Sequence, residues 1–250
     1  IDPISRVASF FNNDEEQVRD MIKACLDENK NVQKDIKLVG KHGSPDRWIH
    51  MTLSRIEDVV FQGVANDITD RKLIETAAKK AAMTDALTGI LNRLGFELKL
   101  QERLNKGYEK SDFWSALMMV DLDFFKQVND TYGHDAGDQI LTYFARLLKG
   151  IVRKSDLIGR LGGDEFVLFL DYIDQPRILE RIAQNIIASV AKPIDLGEGQ
   201  TAQIGASIGI AIFRDIRIKQ EQLFKQADEA MYQAKKNGRN TYCIYTCAQK

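Results

Sequence analysis

The stretch GRLGGDEFVLFL at 159–170 constrains the fold more than any other part of the chain. Phe166, Val167, Leu168, Phe169 and Leu170 form an uninterrupted apolar run of strand length, which reads as a buried strand. Gly162 and Gly163 stand just before it, and paired glycine makes a two-residue hairpin turn because both central positions reach positive φ without steric cost. Between turn and buried run sit two acids, Asp164 and Glu165. Either they decorate an ordinary turn, or a rigid strand carries them to a place where carboxylates are needed.

The sequence around the hairpin alternates strand and helix patterns from about 84 to 250. FWSALMMVD reads as a buried strand, and GDQILTYFARLLKGIV as a helix with Ile140, Leu141, Phe144, Leu147, Leu148 and Ile151 turned inward. PRILERIAQNIIASV is a second amphipathic helix. In TAQIGASIGIAIF, Ala202, Ile204, Ala206, Ile208, Ile210 and Ile212 alternate with the other face, the period of a sheet. A helix around 219–237 and a short strand at TYCIY close the pattern. The expected class is α+β, a mostly antiparallel sheet covered by helices. The first strand runs into VDLDFFKQVND and delivers Asp121 where it emerges. If the hairpin lies beside that strand, two or three of the carboxylates of Asp121, Asp164 and Glu165 converge. Desolvated carboxylates repel, so a cation is expected, and hard oxygen ligands without a His or Cys set favour Mg²⁺.

Residues 1–84 have another character. NNDEEQVRDMIKACLDENK places Val18, Met21, Ile22, Cys25 and Leu26 on one helical face, and three strand-like runs follow. ITDRKLIETAAKKAAMT, 68–84, is helix-forming throughout, with Ile68, Leu73, Ala77 and Ala81 roughly on one stripe. Such a helix suits pairing with a copy of itself, a solitary connector being the alternative. The 35 basic and 36 acidic residues leave a net charge of -1, which argues against a broad nucleic-acid surface. Cys25, Cys243 and Cys247 are too few for a disulfide framework, which fits a reducing cytoplasm. No signal peptide or membrane-length apolar run is present, and the start at Ile1 reads as that of a piece of something longer.

Two resemblances attach to these blocks. Residues 1–70, through DITDRK at 67–72, resemble the C-terminal part of a PAS sensor domain, with 68–84 as its exit into a signalling helix. Residues 84–250 resemble a GGDEF domain, the diguanylate cyclase family, through DALTGILNRLGF (85–96), DLDFFKQVNDTYGHDAGD (121–138), RLGGDEF (160–166), ASIGIA (206–211) and ADEAMYQAKKNGRN (227–240). That resemblance implies a palm-like sheet similar to class III nucleotidyl cyclases. It also implies a bacterial cytoplasmic homodimer that converts two GTP into cyclic di-GMP and two pyrophosphates with Mg²⁺, Mn²⁺ being a substitute.

Residue by residue, the resemblance implies that Asp121, Asp164, Glu165 and the Leu122 carbonyl hold the metal. Asp164 and Glu165 count as catalytic, with Asp164 the usual candidate base. Asn129 and Asp138 match the guanine-reading pair. Lys126, Lys235, Arg239 and the N–H groups of Phe124 and Phe125 match triphosphate contacts beside Gly162 and Gly163. His134 matches a substrate-site position, a loop hydrogen bond being the plainer reading. Arg153 and Asp156 match the RxxD product-inhibition site, although so short a pattern also arises by chance. The competing functional class is a non-catalytic receptor for GTP or cyclic di-GMP.

Overall fold

The computed structural model describes residues 15–28, 30–40, 44–57, 60–105, 113–197, 199–214 and 218–246. It divides into two compact units, 1–79 and 80–250. Among the described residues no helix is long and apolar enough to cross a membrane. Cys247 lies outside them.

In the first unit, α1 (Glu15–Glu28) precedes β1 (Val32–Leu38), β2 (Arg47–Glu57) and β3 (Val60–Asp67), an antiparallel sheet of order β1-β2-β3. Period 2 sends Ile36, Met51 and Leu53 to one face, where they bury against Met21 and Ile22 of the helix. Asp35 and His50 pair across the ladder on the other face, with Nδ1 of His50 2.7 Å from the carboxylate. Lys72 Nζ lies 2.8 Å from the same carboxylate, and these two partners hold the Asp35 carboxyl down at about 2. Lys72 belongs to the first turn of α2 (Thr69–Met83), and Thr69 Oγ1 accepts the Trp48 N–H at 2.9 Å. The helix is thus fastened where it begins. Beyond that turn none of its side chains is buried within the chain, and Leu73 and Ile74 stand exposed.

The second unit contains β4 (Leu91–Asn92), α3 (Arg93–Asn105), β5 (Trp114–Asp123), α4 (Phe125–Tyr132), α5 (His134–Ile151), β6 (Leu157–Gly162) and β7 (Glu165–Ile173). It continues with α6 (Arg177–Val190), β8 (Ile194–Gly197), β9 (Gln200–Ala202), β10 (Gly205–Phe213), α7 (Gln220–Lys236) and β11 (Tyr242–Ile244). Six strands form one sheet of order β11-β10-β5-β7-β6-β4. The four inner strands are antiparallel, and the outer pairs β10–β11 and β4–β6 are parallel. Met118, Val120, Phe166, Leu168, Ile208 and Ile210 form one core with residues of α5 and α6, where Phe144 meets Phe166 edge to face. Leu117, Met119, Val167, Phe169 and Ala211 form a second core with residues of α3 and α7. Covering both faces explains why 166–170 has no polar member.

The alternation read along 202–212 resolves differently. Ala202 ends β9, which pairs with β8 in a small separate ribbon, and β10 begins only at Gly205. The intervening face of β10, with Gly205, Ser207, Gly209 and Ala211, is buried rather than solvated. Gly209 is small because α7 crosses there. A Cβ on Gly209 would run into the Ala227 carbonyl oxygen and the Met231 amide nitrogen of that helix, both backbone. Gly209→Ala is therefore expected to force α7 off the sheet and cost about 2–4 kcal/mol. Gly150→Ala, near the end of α5 with nothing within 4 Å of the new Cβ, should gain about 0.5–1 kcal/mol. Urea titration of both variants measures the contrast; equal stabilities would contradict the helix contact.

Candidate active site

β5 is buried along its middle and turns polar where it ends. Asp121 lies opposite Glu165 of β7 on one side and Ser207 of β10 on the other. The β6–β7 turn closes through Gly162 at φ 152° and Gly163 at φ 52°. Space around both glycines is open, so backbone conformation rather than crowding demands glycine here. Arg160 braces the turn. Its Nε and Nη2 donate to the Gly163 carbonyl at 2.9 and 2.7 Å, and its Nη1 reaches both Asp85 oxygens at 3.2 Å. Burial pushes the Asp85 carboxyl up, but the Thr88 hydroxyl and N–H and the Arg160 guanidinium outweigh it and hold Asp85 below the usual value. The Leu122 N–H donates to the Asp164 carbonyl at 3.3 Å, tying the turn to the end of β5.

Asp164 is half-buried, and its carboxyl is pushed above the ordinary value, first by burial and then by the charge of Asp121. Lys235 Nζ, from the last turn of α7, sits 2.6 Å from Asp121 Oδ2. An ammonium thus stands in where two acids face each other. Among the described residues no three of His, Cys, Asp and Glu converge as metal ligands. The bond from the Leu122 N–H to the Asp164 carbonyl, and the charge that Asp121 exerts on Asp164, mark these two acids as neighbours, while Glu165 faces Asp121 across the ladder without completing a three-carboxylate cluster. Two hard carboxylates whose repulsion is only partly met by lysine suit a divalent cation that keeps substrate phosphates among its ligands.

Phe124 takes left-handed backbone, φ 65°, and turns the chain from β5 into α4. Phe125 is buried, while Phe124 and Lys126 are exposed at the helix start. Asn129 Oδ1 is buried with no hydrogen-bond partner and lies against Gly137, where a Cβ would strike it. The chain therefore keeps a bare acceptor at the α4–α5 junction, next to Asp138. Asp138 and His134 are exposed in the first turns of α5. Asp138 also lines a cavity of about 360 Å³ with Leu87, Tyr143, Arg146 and Asp195, which no motif pointed to.

Past α7, Gly238, Arg239 and Asn240 all have positive φ, and the Arg239 guanidinium lies 5.7 Å from the Phe124 ring centre. Lys235, Arg239 and Phe124 thus border the end of β5. Lys236 instead lies over the Tyr232 ring. Arg153 and Asp156 form a separate turn ahead of β6, with Asp156 Oδ2 accepting the Arg153 N–H at 2.8 Å. Burial, then the Asp171 charge, pushes the Asp156 carboxyl up. The Arg153 side chain is exposed. This turn and the glycine turn occupy opposite ends of β6, about 20 Å apart at strand rise.

Fold and site together define an α+β domain, a central sheet flanked by helices, with an acidic pair and attendant cations at the end of its central strand. The family model for the diguanylate cyclase GGDEF domain matches residues 82–241, and the chain belongs to that family. It is 40% identical over 157 residues to diguanylate cyclase TpbB of Pseudomonas aeruginosa, covering 63% of this chain and 36% of that protein. It is 38% identical over 184 residues to diguanylate cyclase DgcM of Escherichia coli, covering 73% of this chain and 43% of that one. The chain spans less than half the length of these curated relatives. Among solved structures, the isolated GGDEF domain of TpbB matches with a TM-score of 0.60 and 38% identity, over 65% of this chain and 94% of that one. The coiled coil and GGDEF domain of DgcB from Caulobacter crescentus, in complex with c-di-GMP, matches with a TM-score of 0.62 and 26% identity, over 70% and 91%.

The raised proton affinity of Asp164 has a measurable sign. An acid whose pKa rises on folding costs stability as pH climbs from its ordinary value of 3.8 through the raised one, and the cost is complete above that window. Without metal or nucleotide, Asp164→Asn should therefore be more stable than the parent at pH 7. The gain should stay under about 1 kcal/mol, because the group keeps much of its solvent contact, and should vanish below the window. Thermal melts across pH check this. A variant less stable than its parent at pH 7 would contradict the repulsion between Asp121 and Asp164.

Proposed function

We propose that this chain carries the catalytic domain of a diguanylate cyclase, condensing two GTP into cyclic di-GMP and two pyrophosphates. The reading rests above all on two neighbouring carboxylates, Asp121 at the end of β5 and Asp164 in the glycine turn tied to it. The names of TpbB and DgcM, and the c-di-GMP complex of DgcB, support it.

Members of this family use a divalent metal, here Mg²⁺. Asp121, Asp164 and the Leu122 carbonyl would hold it, and when bound it would supply charge neutralisation at the α-phosphate and at the attacking 3′-oxygen. The remaining work falls to the chain itself. Guanine offers the N1–H and N2–H₂ groups that Asn129 and Asp138 would accept; adenine would leave an acceptor unpaired. Lys126, Lys235, Arg239 and the N–H groups of Phe124 and Phe125 would balance the triphosphate charge, with His134 at a further substrate-site position. Gly162 and Gly163 leave room for a phosphate against the turn. Asp164 is the family's usual candidate for taking the 3′-hydroxyl proton, although a carboxylate that also holds metal is a weak base.

Each 3′-oxygen attacks the α-phosphorus of the other GTP, and each bond to the leaving pyrophosphate breaks as the new ester forms. One domain binding one GTP cannot complete both steps. Two copies facing each other do so with twofold symmetry, and pairing through α2 raises their effective concentration. The β1–β3 sheet feeding α2 supports an upstream sensor of PAS type. The exposed Arg153 beside Asp156 supports product inhibition at a second, cyclic di-GMP-binding turn.

Purified protein given GTP and Mg²⁺ should yield cyclic di-GMP, identified by mass. Asp164→Asn should lower turnover at least about 100-fold, with the fold kept as judged by circular dichroism. A folded parent that binds GTP and makes no product would be a receptor instead. Arg153→Ala should need about tenfold more cyclic di-GMP for half-inhibition, since it loses a charge-assisted contact. Equal inhibition of variant and parent would remove the regulatory role of the Arg153 turn.

A further inference from the structure

Asp123 ends β5 two residues beyond Asp121, and the motif reading gives it no role. It is 2% exposed, and both of its oxygens are engaged. Oδ1 accepts the Ser207 hydroxyl at 2.8 Å, and Oδ2 accepts the Asn240 backbone N–H at 2.8 Å. Arg239 Nε lies 3.9 Å from Oδ1. Asn240 is the third of three successive left-handed residues, Gly238 at φ 108°, Arg239 at 64° and Asn240 at 47°. Residues bearing side chains keep such backbone only where neighbours over-determine it. Here the neighbour is a buried carboxylate gripping the far end of the loop. The fit is close: a Cβ on Gly205 would come within 3.1 Å of both Asp123 Oδ2 and Asn240 Oδ1.

A spacing rule lies behind the arrangement. Residues two apart on a strand share a face and stand about 7 Å apart. Lys235 in the last turn of α7 and Arg239 in the loop beyond it meet Asp121 and Asp123 in turn, at 2.6 and 3.9 Å. A buried anion needs a cation or several donors, and Arg239 serves as that cation.

We infer that Asp123 is a positioning residue, which holds the 238–240 loop in its left-handed form so that the Arg239 guanidinium stands over Phe124 and faces the triphosphate. This rests on the proposed reading that Arg239 binds the triphosphate of GTP. The test measures affinity for 3′-deoxy-GTP with Mg²⁺, a probe lacking the attacking hydroxyl, by calorimetry on the parent, Asp123→Asn, Arg239→Ala and the double variant. Each single change should weaken binding about tenfold, and the double should lie within about twofold of Arg239→Ala, because the two act through one contact. With GTP, Asp123→Asn should raise KM while kcat at saturation stays within about threefold, the pattern of lost uniform binding.

Ser207→Ala loosens the same carboxylate without removing its charge. It should show a smaller loss that likewise disappears in the Arg239→Ala background, and it decides the matter if Asp123→Asn does not fold. If Arg239→Ala weakens binding but the losses multiply in the double variants, Asp123 serves packing alone and the inference falls with the catalytic reading intact. If Arg239→Ala binds the probe like the parent, the assignment of Arg239 to the triphosphate falls, and the inference with it.

Discussion

The antiparallel pairing of β5 with β7 fixes nearly everything about this domain. Leu117, Met118, Met119 and Val120 on one strand and Phe166 to Leu170 on the other are almost wholly buried, on both faces of the sheet. A slip of one residue would exchange the two cores, each built for different side chains, so the register is strongly specified. Asp121 and Glu165 are opposite each other as a result. The hydrophobic core thus sets the position of the acids, and the site inherits the rigidity of the sheet rather than that of a loop.

Rigidity at the strand ends does not extend to the turns unaided. The glycine turn, Phe124 and the 238–240 loop all use positive-φ backbone, and the first and last are held from outside. Arg160 holds the first through the Gly163 carbonyl, anchored in turn on Asp85. The loop after α7 hangs on the end of β5 through Asp123 and Ser207. Three irregular segments meet around one acidic pair, and charged side chains that do not themselves carry the expected chemistry secure two of them.

Much of this was legible in the sequence, because period and turn chemistry are local. The hairpin at Gly162–Gly163, the inward face of α5 and the strand delivering Asp121 all follow from residue spacing, and the structure has them. What stayed hidden depends on partners distant in the chain. Arg160 and Asp85 are 75 positions apart, and nothing near either names the other. Asp123 sits two residues from Asp121 and drew no reading from the sequence; only the arrival of Ser207 and Asn240 makes it a buried acid with both oxygens engaged. The run at 202–212 kept its alternation through a break between two sheets, because small residues under a crossing helix alternate with large ones much as polar residues would. Asn129 gave no sign that its oxygen would be bare, since that depends on the missing Cβ of Gly137.

The helix α2 has a thermodynamic consequence of its own. Fifteen residues make a rod of about 22 Å, a length at which an isolated helix is marginal in water, and no side chain of it is buried. Its coherence is borrowed from its two ends. At one, Thr69 and Lys72 grip the sheet of the first unit. At the other, Asn92 Nδ2 donates to the carbonyls of Ala82 and Thr84. Between them it has its own hydrogen bonds and surface side-chain pairs to keep it wound, and no buried surface. Losing one turn of it would cost a few hydrogen bonds and expose nothing new to water.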